Sequence, residues 1–90
     1  MRTGDSIRKY KLLSEIGRGG MGVVYKALDT HLEREVVVKT IRDELVFDKK
    51  VRELFIQEAR VQARFTHANI VNLYDAFEDN KKLYIAMEYV

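Results

Sequence analysis

Cysteine, tryptophan and proline are all absent from this 90-residue chain. The lack of cysteine excludes disulfides and any cysteine-ligated metal site, and it fits a reducing compartment. Its two histidines, His31 and His67, have no cysteine or second histidine at metal-ligand spacing, so they read as structural or surface residues and no metal site is expected. Apolar runs are only a few residues long, so none can span a bilayer. The N-terminus lacks the apolar stretch of a secretory signal. A formal charge of +2 is too small to argue for nucleic acid or a membrane surface as partner. No Pro/Ser-rich linker, repeat or low-complexity stretch divides the chain, and its length allows one small domain at most.

Glycine is scarce but concentrated: Gly17, Gly19, Gly20 and Gly22 fall within the segment Ile16-Gly17-Arg18-Gly19-Gly20-Met21-Gly22-Val23-Val24-Tyr25-Lys26-Ala27. Without Cβ atoms, such a loop bends tightly and brings backbone N–H groups close to an anion, usually a phosphate. A plain turn has the same composition. The residues that follow, Val23, Val24 and Tyr25, favour a strand, whereas a dinucleotide fingerprint continues into a helix. No Gly-Lys-Ser/Thr closes the loop, which excludes a Walker-type site. The loop is therefore read as a hairpin tip that acts as a flap over phosphates.

Strands are expected at 10–16, 23–29 and 34–41, with a turn at 30–33, and again at 70–78 and 82–88 around a turn at 79–81. Residues 1–9 are expected to be flexible and 42–47 to form a short helical turn. Asp48 is a plausible N-cap for a helix over 49–65. The fold class is thus α+β: a five-stranded antiparallel sheet with one long helix packed on it.

Two charges stand out of place in this scheme. Strand alternation puts Lys39 on one face with Val37 and Ile41. A snorkelling lysine at a strand edge would also account for it. On the helix, Val51, Leu54, Phe55, Val61 and Phe65 gather on one stripe, which also takes in Glu58 and Gln62. Glu53, Arg60 and Arg64 lie opposite. A buried carboxylate needs a cation, and Lys39 is the natural partner for Glu58. If burial is complete, breaking such a pair costs about 3–5 kcal/mol.

Five motifs in order carry a family resemblance. Gly17 to Val24 resembles the kinase glycine-rich loop, Val36-Val37-Val38-Lys39 the third-strand lysine motif, and Glu58 its acidic helix partner. His67-Ala68-Asn69-Ile70-Val71 is similar to the segment that follows that helix, and Met87-Glu88-Tyr89-Val90 to the hinge between lobes. Lys39 stands 22 residues after Gly17, Glu58 19 after Lys39 and His67 nine after Glu58, and these spacings fit as well. From about Ile7 to Val90 the chain resembles the N-lobe of a bacterial Hanks-type protein Ser/Thr kinase. Residues 10–90 are expected to be that lobe, stopping at the hinge.

The resemblance implies ATP as cofactor, with Mg²⁺ held by residues of the other lobe, and a protein substrate bound there too. Lys39 would hold the α- and β-phosphates and Glu58 would orient it, the two making up the catalytic set. The loop residues Gly17, Arg18, Gly19, Gly20, Met21 and Gly22 would cover the phosphates, Met21 shielding them at the tip. Ile16, Val24 and Val37 would roof the adenine, Met87 would be the gatekeeper, and Glu88 and Val90 would meet adenine through backbone carbonyl and N–H. These 90 residues alone would be inactive, since the catalytic-base and metal-binding segments are not among them. The lobe-facing surface is expected to drive self-association or exchange of an element, and the expected location is cytoplasmic, with any membrane anchor outside these residues.

Three positions depart from the family pattern: Val37 replaces alanine, Ala68 replaces proline, and Gln62 stands where an apolar residue is usual. A pseudokinase or regulatory interaction module would share this lobe without transfer activity, and a pure protein-interaction domain would show no nucleotide affinity. A nicotinamide-binding enzyme is the remote alternative, and the strand after Gly22 counts against it.

Overall fold

The computed structural model describes residues 4–64 and 72–89. In chain order it contains β1 (Ser6–Ile7), β2 (Tyr10–Arg18), β3 (Gly22–Asp29), β4 (Arg34–Ile41), α1 (Lys49–Arg64), β5 (Leu73–Asp79) and β6 (Lys82–Glu88). A 3-10 turn at Asp43–Leu45 links β4 to α1. The strands form one antiparallel sheet in the order β1-β2-β3-β4-β6-β5.

Among the described residues the strands number six, not the expected five. The additional strand, β1, lies inside the 1–9 stretch expected to be flexible, and its Ile7 is buried. It was hidden because it is two residues long and its turn carries no glycine or asparagine. Arg8 takes the left-handed backbone there, with φ of 55°, a region that side chains other than glycine, asparagine and aspartate seldom occupy. The β5–β6 turn is better advertised: Asn80 and Lys81 both have positive φ, as a two-residue type I′ hairpin requires.

The sheet curls until strands at opposite ends of its order meet. The Tyr10 ring of β2 stacks on Phe77 of β5 at 5.9 Å, and Phe77 stacks on Tyr84 of β6 at 5.3 Å. The Arg8 guanidinium lies 4.3 Å above the Phe77 ring and donates to the Glu78 carbonyl at 2.9 Å. Inside this curl, Leu12, Tyr25, Ala27, Val36, Val38 and Ala86 form the main core. Burial, above all, pushes the Tyr10 and Tyr84 phenols up to about 12.

The β3–β4 turn is built around Asp29, which is 1% exposed. Its Oδ1 accepts from the N–H groups of His31 (3.0 Å) and Leu32 (3.1 Å), while Lys9 Nζ and Arg34 Nε lie 3.9 and 3.8 Å from Oδ2. Burial works against the charge. The amides of Leu32 and His31, together with the two cations, outweigh it and hold the carboxyl below its ordinary value. His31 is exposed in this turn, in keeping with a surface reading.

On the other face of the sheet, α1 packs against Ile41 and Ile85 through Phe55 and Ala59, with Val51 alongside. These three helix positions repeat every four residues, the spacing of one narrow helical stripe. Asp48 caps the helix: its Oδ1 accepts from the Val51 N–H at 3.1 Å. The contact is narrower than the apolar periodicity suggests, because Leu54 and Val61 are 41% and 47% exposed.

Candidate functional site

The register of the sheet assembles the candidate residues. Across β3, β4 and β6, Val24 stands opposite Lys39 and Lys39 opposite Ile85; two residues along, Lys26 faces Val37 and Val37 faces Met87. Strand alternation therefore puts Val24, Lys39, Val37 and Met87 on one face. Gly17 pairs with Val24, which brings Ile16 to the border of the same patch, half-exposed beside a bulge between Glu15 and Gly17.

Two backbone bonds shape the glycine hairpin. Gly19 N–H donates to the Gly22 carbonyl at 2.9 Å, and Arg42 N–H donates to the Met21 carbonyl at 2.8 Å, tying the tip to the end of β4. Gly22 lies directly on β4: a Cβ there would stand 2.8 Å from the Thr40 carbonyl oxygen and 3.8 Å from Lys39 Cε. A Cβ at Gly19 or Gly20 would meet nothing within 4 Å, so the tip is open. Arg18 is turned to Glu15, its Nη2 3.0 Å from Oε1.

Beneath this hairpin, Lys39 Nζ donates to Glu58 Oε1 at 2.6 Å. The strand lysine and the helix carboxylate do meet, as their two misplaced charges suggested. They do not meet in a buried setting: the side chains are 26% and 49% exposed. Glu58 faces the open edge of the α1–sheet contact rather than its interior. The expected penalty for breaking a fully buried pair therefore does not apply, and the net stabilisation falls to about 1 kcal/mol or less.

At the far end of β6, Glu88 N–H donates to the Asn72 carbonyl at 2.8 Å, and the Glu88 carboxylate accepts from the Asn72 N–H at 3.3 Å. Val90, together with Phe65, His67 and Ala68, lies outside the described residues, as does the side chain of Gln62. A cavity of about 380 Å³ lies between α1 and β5–β6, bordered by Phe55, Ala59, Leu73, Leu83 and Ile85. It touches none of the expected nucleotide-binding residues. The glycine hairpin and the Lys39 face, where the charged chemistry sits, form a separate open surface.

Two residues belong to the setting of this site without any mark in the sequence pattern. Lys26 shares the face of Val24 and Val37, 2.8 Å from Glu35 Oε2 and 5.3 Å above the Tyr89 ring; strand alternation from Val24 would have located it. Arg52, in the first turn of α1, donates to the carbonyls of Val46 (3.0 Å) and Lys81 (2.7 Å) and to Glu78 Oε1 (2.7 Å). No periodicity announces that role.

Residues 10–90 match the protein kinase domain family. The chain belongs to that family. It is 49% identical over 82 residues to a probable serine/threonine-protein kinase of Clostridium acetobutylicum, covering 91% of this chain and 12% of that protein. It is 42% identical over 82 residues to serine/threonine-protein kinase PrkC of Bacillus subtilis, covering 91% and 13% respectively. Among solved structures, the apo form of PpkA-294 superposes with a TM-score of 0.84 at 29% identity, over 99% of this chain and 38% of that one. A double mutant of the PknI kinase domain of Mycobacterium tuberculosis gives 0.78 at 28%, over 100% and 36%. The six strands and long helix of the described residues are thus the N-lobe of a protein kinase, and the chain spans only a small part of the curated kinases it matches.

Proposed function

We propose that the complete protein transfers the γ-phosphoryl group of ATP to serine or threonine hydroxyls, and that this lobe forms the half of the site that holds the nucleotide. The observation that carries the reading is the 2.6 Å contact between Lys39 and Glu58, set under a hairpin whose Gly22 leaves no room for a side chain. ATP, when bound, would supply the γ-phosphoryl group, with ADP as the leaving group. Lys39 binds the α- and β-phosphates as a point charge, and Glu58 fixes the direction of its amine. Amides of the Gly17–Gly22 hairpin cover the phosphates, and Met21 keeps water from them. Ile16, Val24 and Val37 give the adenine an apolar roof. Met87 limits the depth of the pocket, with the Glu88 carbonyl and the Val90 N–H reading the adenine edge.

Gly22 seats the hairpin directly on β4, and the open tip at Gly19 and Gly20, where a Cβ would meet nothing within 4 Å, supports a flap that can cover a phosphate chain. Among the described residues no group of three or more His, Cys, Asp or Glu side chains is placed to hold a metal ion. The family resemblance, rather than that absence, assigns magnesium and the catalytic base to segments outside these residues. Ile16, Phe47, Leu54 and Val61 expose apolar surface, which supports self-association of the isolated lobe; concentration-dependent light scattering tests it. A cytoplasmic location is part of the same proposal, with any membrane anchor outside these residues.

The test of function is transfer from γ-labelled ATP with Mg²⁺ to a general Ser/Thr protein acceptor by the complete protein. Labelled phosphoserine or phosphothreonine is expected. ATP binding without transfer would instead assign a pseudokinase or regulatory module, and absence of ATP binding would assign a pure protein-interaction domain.

A further inference from the structure

We propose that Arg52 is a positioning residue that sets the phosphoryl-transfer geometry by clamping α1 to the β5–β6 hairpin. The inference rests on the proposed kinase function. α1 touches the sheet along one narrow stripe, Val51, Phe55 and Ala59, which resists separation better than it resists sliding or rolling. Glu58 lies outside that stripe, half-exposed, so small rotations of the helix move its carboxylate away from Lys39.

Arg52 supplies the restraint that the stripe lacks. Its Nη1 donates to the Val46 carbonyl at 3.0 Å, before the helix, and to the Lys81 carbonyl at 2.7 Å in the β5–β6 turn. Its Nη2 donates to Glu78 Oε1 at 2.7 Å. One planar guanidinium thus joins three segments with fixed directions, which a lysine ammonium could not reproduce. The anchor is itself held, because the Glu78 carbonyl accepts from Arg8 Nη2 at 2.9 Å. Arg52 and Glu58 are six positions apart in α1, about 9 Å along the axis, so the clamp in the first turn and the carboxylate near the middle of the helix move together as one rigid segment. In effect, the β5–β6 hairpin reads out to the lysine through the helix.

The experiment is a double-mutant cycle on kcat in the complete kinase, using Arg52→Gln, Glu58→Gln and both together. Loss of a charge-assisted clamp should lower kcat by about tenfold, with the KM for ATP changed less. In the Glu58→Gln background, Arg52→Gln should add less than about twofold, since the carboxylate it positions is gone. Glu78→Gln, at a half-exposed side chain that does not threaten folding, should show a smaller loss with the same dependence on Glu58. Unchanged kcat in Arg52→Gln, or an undiminished loss in the Glu58→Gln background, would overturn the proposal. Full activity of Glu58→Gln itself would instead overturn the proposed function.

Discussion

Replacing Gly22 by alanine should destabilise this lobe for a spatial reason rather than a conformational one. The backbone at Gly22 lies outside the left-handed region, so alanine can adopt it without strain. Its Cβ, however, would stand 2.8 Å from the Thr40 carbonyl oxygen. That oxygen cannot easily retreat. β4 is paired on both sides, with Thr40 opposite Val23 and Tyr84, and Thr40 Oγ1 donates to the Leu83 carbonyl at 2.8 Å. Overpacking of this kind costs about 1–3 kcal/mol, and the reduced freedom of the unfolded chain returns about 0.4–1 kcal/mol. The net expectation is a loss of about 1–2 kcal/mol, read as a lower urea midpoint by circular dichroism at unchanged slope. Gly19→Ala and Gly20→Ala, with nothing within 4 Å, serve as controls and should stay within about 0.5 kcal/mol of wild type. A Gly22→Ala protein as stable as Gly20→Ala would refute the reasoning.

Other elements make separate demands. Asp48→Ala removes the cap on Val51 N–H and should lower stability by about 1 kcal/mol in the same urea assay. Phe77→Ala removes the middle ring of the Tyr10–Phe77–Tyr84 stack and should cost about 2–3 kcal/mol, since Phe77 is only partly buried. The Asp29 carboxyl is held below its ordinary value of 3.8, so its contribution is complete above that pH and is lost as pH falls through the depressed value. Stability measured against pH should therefore decline below about 4, and less steeply in Asp29→Asn; identical acid slopes would show that this carboxylate does not contribute.

Regular pairing made much of the lobe legible in advance. β4 at Arg34–Ile41 and β6 at Lys82–Glu88 announce themselves because β-branched and apolar residues follow directly on polar turns. Lys39 and Glu58 were identifiable because a charge among apolar neighbours needs a partner. What periodicity could not supply is how deeply α1 sits. Leu54 and Val61 share the helix's apolar arc, yet among the described residues it is Val51, Phe55 and Ala59 that join the apolar cluster against the sheet, and the Lys39–Glu58 pair lies at an open edge. Arg52 and Asp29 were not legible as anchors because their partners are mostly backbone groups, and the positions of those groups follow from the fold rather than from residue type. β1 stayed hidden because Arg8 makes its turn at positive φ without a residue that signals one.

The central claim is that the Lys39–Glu58 contact serves nucleotide chemistry rather than folding. It is tested most directly by measuring phosphoryl transfer and urea stability side by side for Lys39→Met and wild type in the complete kinase. Because the two side chains are 26% and 49% exposed, stability should change by no more than about 1 kcal/mol while transfer is abolished. Transfer at the wild-type rate by Lys39→Met, with the protein folded, would contradict the account.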